Sequence, residues 1–411
     1  MSPDPRPLSA LTVRLHGRPI GILNRIAGDS TLFSFEEDYL DDPDRATLSL
    51  SFKGPRGTIV APARSYATRL PPFFSNLLPE GPLRGYLAAR ACVKSEREFF
   101  LLAALGADLP GAVTVAPADA PAAQDSRPSN AAAADDSDAV LRFSLAGVQL
   151  KFSAIVDATG GLTIPADGMD GSWIVKLPSM EFPAIPENEF AMLELARAIG
   201  IQVPALELVP VEKIAGLPRD AQRRGGRALC VKRFDRREDG VRIHMEDFAQ
   251  VFAHFPDDKY DRRSYANIAA VLHAEIGTTG TDEFVRRLVF SVLIGNGDMH
   301  LKNWSLVYPD ERTPVLSPAY DFVSTIPYLP DDRLGLNFGR SRSLSSITRD
   351  QVRRFADSAG LAASPVWDVV RETAERTVEA WKTLAAKDVL PAKLRGRIDR
   401  QIEIAARNIE A

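Results

Sequence analysis

The sequence of 411 residues predicts an α+β protein of two lobes, with a β-rich section in front and a mainly helical lobe at the end. Three observations carry this. Apolar residues in 8–70 alternate with a period of two. Residues 141–235 hold several strand-length apolar runs around one helix. From about 245 onward the apolar spacing becomes mainly helical. A chain of this length exceeds one typical core, so two or three lobes are expected.

Taken in order, Leu11, Val13 and Leu15 alternate before a His16-Gly17-Arg18-Pro19 turn, and Leu48, Leu50 and Phe52 alternate before Gly54-Pro55. Both read as strands. From about Pro72 to Leu105 the period is helical, closed by Gly106 and Pro110-Gly111. Residues 116–140 are mostly Ala, Pro, Ser and Asp, with no large apolar group before Val140, and read as a flexible linker. Strands are expected at Leu150–Val156, Ser172–Leu177, Leu206–Val211 and Ala228–Arg233, with a helix over Glu187–Ile199 ended by Gly200. His244-Met245-Glu246-Asp247 reads as the acidic first turn of the next helix. Near the end, Val366, Val369, Val370, Ala374 and Val378 mark one apolar helix face. The expected division is 1–115, a linker 116–140, a strand-rich lobe 141–235 and a helical lobe 236–411.

An apolar fraction of 45% and a charged fraction of 25% are ordinary for a globular protein. The net charge of −4 argues against bulk electrostatic binding to nucleic acid. Cys92 and Cys230 form no CxxC pair, which argues against a disulfide framework or a structural zinc site and fits a reducing cytosol. The longest apolar stretches, Phe99–Leu105 and Leu288–Ile294, fall well short of the roughly 20 residues a bilayer requires. A cytoplasmic protein with no membrane partner is expected.

The chemistry concentrates near residue 300. The chain reads Gly295-Asn296-Gly297-Asp298-Met299-His300-Leu301-Lys302-Asn303, then, after the apolar approach Thr313–Leu316, Tyr320-Asp321-Phe322. This is the spacing of a phosphoryl-transfer site. Asp298 can accept the proton of an attacking hydroxyl, while Asn303 and Asp321 can hold Mg²⁺ against nucleotide phosphates. Lys302 is placed to neutralise a transferring phosphoryl group. His300 reads as packing the loop rather than as a base, since Asp298 fills that role. The competing reading makes the same residues turn formers and helix caps.

Upstream, Lys176 sits in the apolar run Ser172–Leu177, where an ammonium is costly to bury unless it meets an anion. A nucleotide phosphate and a helix carboxylate would serve, with Glu189 favoured over Glu187 and Glu194. The alternative is an edge-strand lysine reaching water. In Phe143–Phe152, the small pair Ala146-Gly147 would let backbone N–H groups approach phosphates. Ser144 is the hydroxyl of this loop placed to face those phosphates; its alternative is an ordinary strand serine. Leu229–Arg236 passes from strand to charged loop, where a hinge could offer its backbone to adenine and Phe234 an apolar wall.

Together these segments resemble the HipA family of serine/threonine kinases, the toxin half of HipBA toxin–antitoxin pairs. The matching residues are Ser144–Lys151, Val175-Lys176-Leu177-Pro178, Asn188-Glu189, Val231–Arg237, Glu246-Asp247, Gly295–Asn303 and Pro318-Ala319-Tyr320-Asp321. Asn76–Gly81, Leu105–Asp108 and Gly111-Ala112-Val113 resemble the family's N-terminal domain. Two departures stand out: Lys232 replaces a common acid, and Leu150 replaces a common Glu.

The resemblance implies a phosphoinositide 3/4-kinase-like, two-lobed kinase fold using ATP and Mg²⁺. It makes Asp298 the catalytic base with Lys302 beside it, Asn303 and Asp321 the metal ligands, and Ser144 the autophosphorylated residue. The nucleotide would be bound by Ala146, Gly147, Val148, Gln149, Lys151, Lys176, the hinge Lys232, Arg233 and Phe234, and by His300 and Tyr320. It further implies a protein substrate of the aminoacyl-tRNA synthetase class, growth arrest, and a HipB-like helix-turn-helix antitoxin, with operator DNA reached only through that antitoxin. The alternatives are a small-molecule kinase on a related fold and a catalytically silent antitoxin-binding regulator.

Overall fold

A computed structural model of the chain describes residues 8–60, 64–118, 151–156, 162–163, 171–217, 222–223 and 225–410. The front section is a sheet of β1 (Ala10–Leu15), β2 (Arg18–Ile26), β3 (Ser30–Phe35), β4 (Tyr66–Ala67) and β5 (Val113–Pro117), in the order β4-β3-β2-β1-β5. His16 and Gly17 join β1 to β2 with φ of 49° and 76°. Both positive values suit a two-residue hairpin turn whose twist matches the strands. The alternation read in β1 is real: Leu11, Val13 and Leu15 are buried, in one core with Phe33, Phe73 and Phe74.

The second alternation is not a strand. Leu50–Phe52 forms a 3-10 turn, and the Ser49 hydroxyl accepts from the Ser51 N–H at 3.1 Å. Leu48 and Phe52 are still buried, so the pattern reported burial without the extended backbone. Between β4 and β5 come helices Pro72–Ser75, Gly81–Arg90 and Glu98–Leu105.

A second antiparallel sheet has the order β7-β6-β8-β10-β9, from β6 (Lys151–Val156), β7 (Leu162–Thr163), β8 (Trp173–Lys176), β9 (Leu206–Pro210) and β10 (Arg227–Lys232). Helix Ile185–Ala198 follows β8 and ends before Gly200, whose φ is 91°. This sheet separates two cores. In β10, Ala228 and Cys230 join the N-terminal core while Leu229 and Val231 join the C-terminal one. Strand alternation sends successive side chains to opposite faces, so one strand serves both. The same rule in β8 turns Val175 into the N-terminal core and leaves Lys176 for the opposite face.

The C-terminal lobe is built on helices Tyr265–Glu275, Thr278–Ile294, Arg349–Ala359, Ala363–Thr383 and Ala392–Glu410. It also contains a small sheet of β11 (His244–Asp247), β12 (Ser305–Tyr308) and β13 (Val315–Leu316). His244–Asp247 is therefore a strand, not the first turn of a helix. The helix begins at Phe248, and Asp247 caps it by accepting the Gln250 N–H at 2.9 Å.

Two buried polar clusters fasten the N-terminal section to the rest. Arg233 and Arg236 each bridge Asp108 and Asp235, at 2.8–3.1 Å. Burial opposes the charge on Asp235, but Arg233 and then Arg236 hold its carboxyl below the usual range. In the second cluster Glu246 accepts from the Ser49 hydroxyl at 2.5 Å, the Leu50 N–H at 2.9 Å and the Tyr308 hydroxyl at 2.5 Å.

Candidate active site

Lys176, Glu189, Asp298, Asn303 and Asp321 line one cleft of about 800 Å³. The Lys176 ammonium donates to both the Glu189 and Asp321 carboxylates. Burial disfavours its charge, yet Asp321 and then Glu189 hold its pKa above that of an ordinary lysine. The rival helix carboxylates are engaged elsewhere: Glu187 with Arg227 at 3.1 Å and Glu194 with Arg197. Lys176 therefore has the anionic partners its burial demands.

The loop 295–303 leaves helix Thr278–Ile294 through Gly295, a left-handed cap with φ of 66°. Asn296 then ties the loop together: its Nδ2 donates to the Asp321 carbonyl at 3.3 Å and its Oδ1 accepts the Asp298 N–H at 3.1 Å. Gly297 has a steric reason to be glycine, because a Cβ there would lie 2.1 Å from Asp332 Oδ2. The Asp298 carboxylate is half exposed to the cleft and accepts from the Tyr260 hydroxyl. Asn303 Nδ2 donates to the Asp298 carbonyl at 2.6 Å. Asp321 holds a left-handed backbone, φ 54°, a conformation that costs a non-glycine residue free energy and collects at functional sites.

Lys302 is buried and braces the loop. It donates to the Asn76 carbonyl and Oδ1, both at 3.0 Å, and to Asp247 Oδ2 at 2.7 Å. Its ammonium is thus engaged by protein groups rather than directed at open solvent. His300 is buried against Tyr260, ring centroids 5.0 Å apart. Burial, then Lys259 and Lys302, hold it well below the ordinary histidine pKa, which disfavours its charged form. Tyr320 donates to the Lys302 carbonyl at 2.9 Å and packs on Phe234 at 5.7 Å.

Within the expected hinge, the Lys232 N–H donates to the Ala205 carbonyl and the Arg233 N–H to the Ser172 carbonyl, each at 2.8 Å. The Arg233 guanidinium is spent in the buried ion cluster, and the Lys232 ammonium pairs with Glu238 at 2.8 Å. Phe234 lines the cleft with Ile174, Val231 and Leu193. Lys151 stands opposite Lys176 in the register of β6 and β8. Ser144, Ala146, Gly147, Val148 and Gln149 lie outside the described residues.

Several cleft residues had no role assigned from sequence. Tyr260 reaches Asp298 from a segment with no motif. Asn76 and Glu80 come from the N-terminal section, and Glu80 pairs with Lys259 at 2.7 Å. The run Asn76–Gly81 was the available signal, but its spacing states no chemistry. Asp247, read as a helix dipole partner, holds Lys302 as well.

Comparison with known proteins gives the family. Residues 143–381 match the HipA-like C-terminal domain and residues 11–116 the HipA N-terminal domain. The Sinorhizobium fredii protein Y4dM, which bears a kinase name, is 51% identical over 95% of this chain and 96% of its own length. The Shewanella oneidensis serine/threonine-protein kinase toxin HipA is 25% identical over 90% of this chain and 88% of its own. A solved complex of Shewanella oneidensis HipA, HipB and operator DNA matches with a TM-score of 0.73 at 23% identity, covering 97% of this chain and 98% of that one. That likeness establishes a shared fold. By its sequence in both sections, the chain belongs to the HipA family.

Proposed function

We propose that this protein is an ATP-dependent protein serine/threonine kinase of the HipA type. The observation that carries it is the convergence of the Lys176–Glu189–Asp321 cluster with Asp298 and Asn303 on one cleft, in a chain related to proteins with kinase names. Lys176 would bind nucleotide phosphates and Phe234 would cover the base. Asp298 would accept the proton of the acceptor hydroxyl as the γ-phosphoryl is transferred to that oxygen. The Tyr260 hydroxyl already donates to Asp298 as such an acceptor would have to. Lys302, held by Asn76 and Asp247, would position the loop.

Asn303 and Asp321 fit Mg²⁺: Asn303 spends its Nδ2 on the Asp298 carbonyl, which leaves Oδ1, and Asp321 adds a carboxylate. The metal would supply neutralisation of phosphate charge. Ser144 is proposed as the autophosphorylated residue, a HipB-like antitoxin as the partner, and a translation-related protein as the substrate whose modification arrests growth. Incubation with γ-labelled ATP and Mg²⁺ tests the reading. Asp298→Asn should lose transfer while retaining nucleotide binding, and wild-type labelling by that variant refutes the assignment.

A further inference from the structure

A second cavity, of about 830 Å³, lies between segment 326–345 and the C-terminal helix Ala392–Glu410. Arg333, Arg342, Arg397 and Arg400 line it, against Asp331 and Asp332. The chain as a whole carries a net charge of −4, so this concentration of cations is local. Arg342 donates to the Tyr260 carbonyl at 3.0 Å and Arg397 to the Pro327 carbonyl. The side chains of Arg333 and Arg400 make no hydrogen bond or ion pair with any described residue. Asp332 accepts from the Thr325 hydroxyl and the Arg333 N–H, and Asp331 also lines the cavity, so four guanidinium groups stand against two carboxylates there. Among the described residues none of the four guanidinium groups is ion-paired to a carboxylate, and the lining keeps an excess of positive charge.

The cavity shares a wall with the active cleft, since Asp332, Arg333 and Arg342 line both. Across that wall Arg342 holds the Tyr260 backbone, and the Tyr260 hydroxyl holds Asp298. The cavity therefore meets the cleft on the side where Arg342 and Tyr260 lead to Asp298.

We propose that this cavity is an acceptor-side subsite that binds an acidic segment of the protein substrate, flanking the hydroxyl to be phosphorylated. This deepens the kinase reading and rests on it for the word acceptor; the binding site itself does not. Planar guanidinium groups match carboxylates and phosphomonoesters in two-point contacts. A short segment with a few anionic groups suits a cavity of this size better than an extended nucleic acid, whose further phosphates would meet a surface of net negative charge.

The test uses the full chain without nucleotide. Fluorescein-labelled serine peptides, identical except for Glu, Gln or phosphoserine beside the serine, are titrated by anisotropy against wild type and Arg400→Glu. Arg400 lies outside the active cleft, so nucleotide binding and thermal melting report whether the variant is intact. The Glu or the phosphoserine peptide should bind at least about fivefold tighter than the Gln peptide, and Arg400→Glu should erase the difference. Whichever anion binds tighter identifies the group recognised. Equal binding of all three peptides, or a preference that survives Arg400→Glu, overturns the proposal. Displacement of every peptide by oligo-dT, with no preference among them, overturns it in favour of nucleic acid. An intact acidic preference in a protein that transfers no label in the separate incubation with γ-labelled ATP and Mg²⁺ would reject the kinase reading and keep the subsite; the reverse pattern would reject the subsite alone.

Discussion

Lys176 shows how far single residues could be read. Its burial in an apolar strand demanded an anion, and helical spacing narrowed the partner to three glutamates. The structure chose Glu189 because Arg227 and Arg197 take the other two. Asn76 shows the opposite case. It meets Lys302 across 226 positions of sequence, a separation no periodicity encodes. Asn76→Ala removes the side-chain acceptor and leaves a buried ammonium short of a partner. The expected result is a fall in kcat of about tenfold with little change in KM for ATP, because loop position is disturbed while the nucleotide contacts are not. Steady-state phosphorylation kinetics check it, and an unchanged kcat would remove Lys302 bracing from the account.

Elements were legible where burial and backbone geometry carry the same signal. Leu11, Val13 and Leu15 alternate and form a strand; Leu48 and Phe52 alternate too, but Leu50–Phe52 is a 3-10 turn, because the Ser49 hydroxyl closes that turn locally. The strands His244–Asp247 and Val315–Leu316 are too short to show a period, so the small third sheet was invisible. Gly106 was read as closing a helix, and the structure adds a second reason. A Cβ there would sit 2.2 Å from the Val115 carbonyl, where the helix end packs on β5. Gly106→Ala should therefore destabilise the N-terminal section by about 1–3 kcal/mol, the range for forced overpacking. Denaturant unfolding reads this directly, and a midpoint equal to wild type would count against the close approach.

At the scale of the whole molecule, the sheet containing β8 and β10 joins two cores, and buried polar clusters fasten the N-terminal section to the segment after β10 and, through Glu246 of β11, to the small third sheet. Glu246 makes that union depend on pH. Burial pushes its carboxyl up to about 7, against the pull of its hydrogen bonds with Ser49, Tyr308 and Leu50. A folded pKa above the unfolded value means the folded state binds the proton more tightly. The resulting stability is full below about 4.5 and is lost as pH rises through about 7, a difference of about 3 kcal/mol. His244, lowered to about 4, works in the other direction: its contribution is present above about 6.5 and lost as pH falls through about 4. Comparison with Glu246→Gln isolates the glutamate. The variant should gain on wild type as pH rises from 4.5 to 7, and parallel melting curves across that window would refute the shift. The sequence by itself determined the class of elements, the division of apolar faces and the residue types Lys176, Asp298, Asn303 and Asp321, because these follow from local periodicity and from the chemistry of buried charge. Only the tertiary structure decided that Tyr260 reaches Asp298, that Asn76 braces Lys302 and that four arginines gather beside the cleft. Those contacts join segments distant in the chain, and packing rather than spacing brings them together.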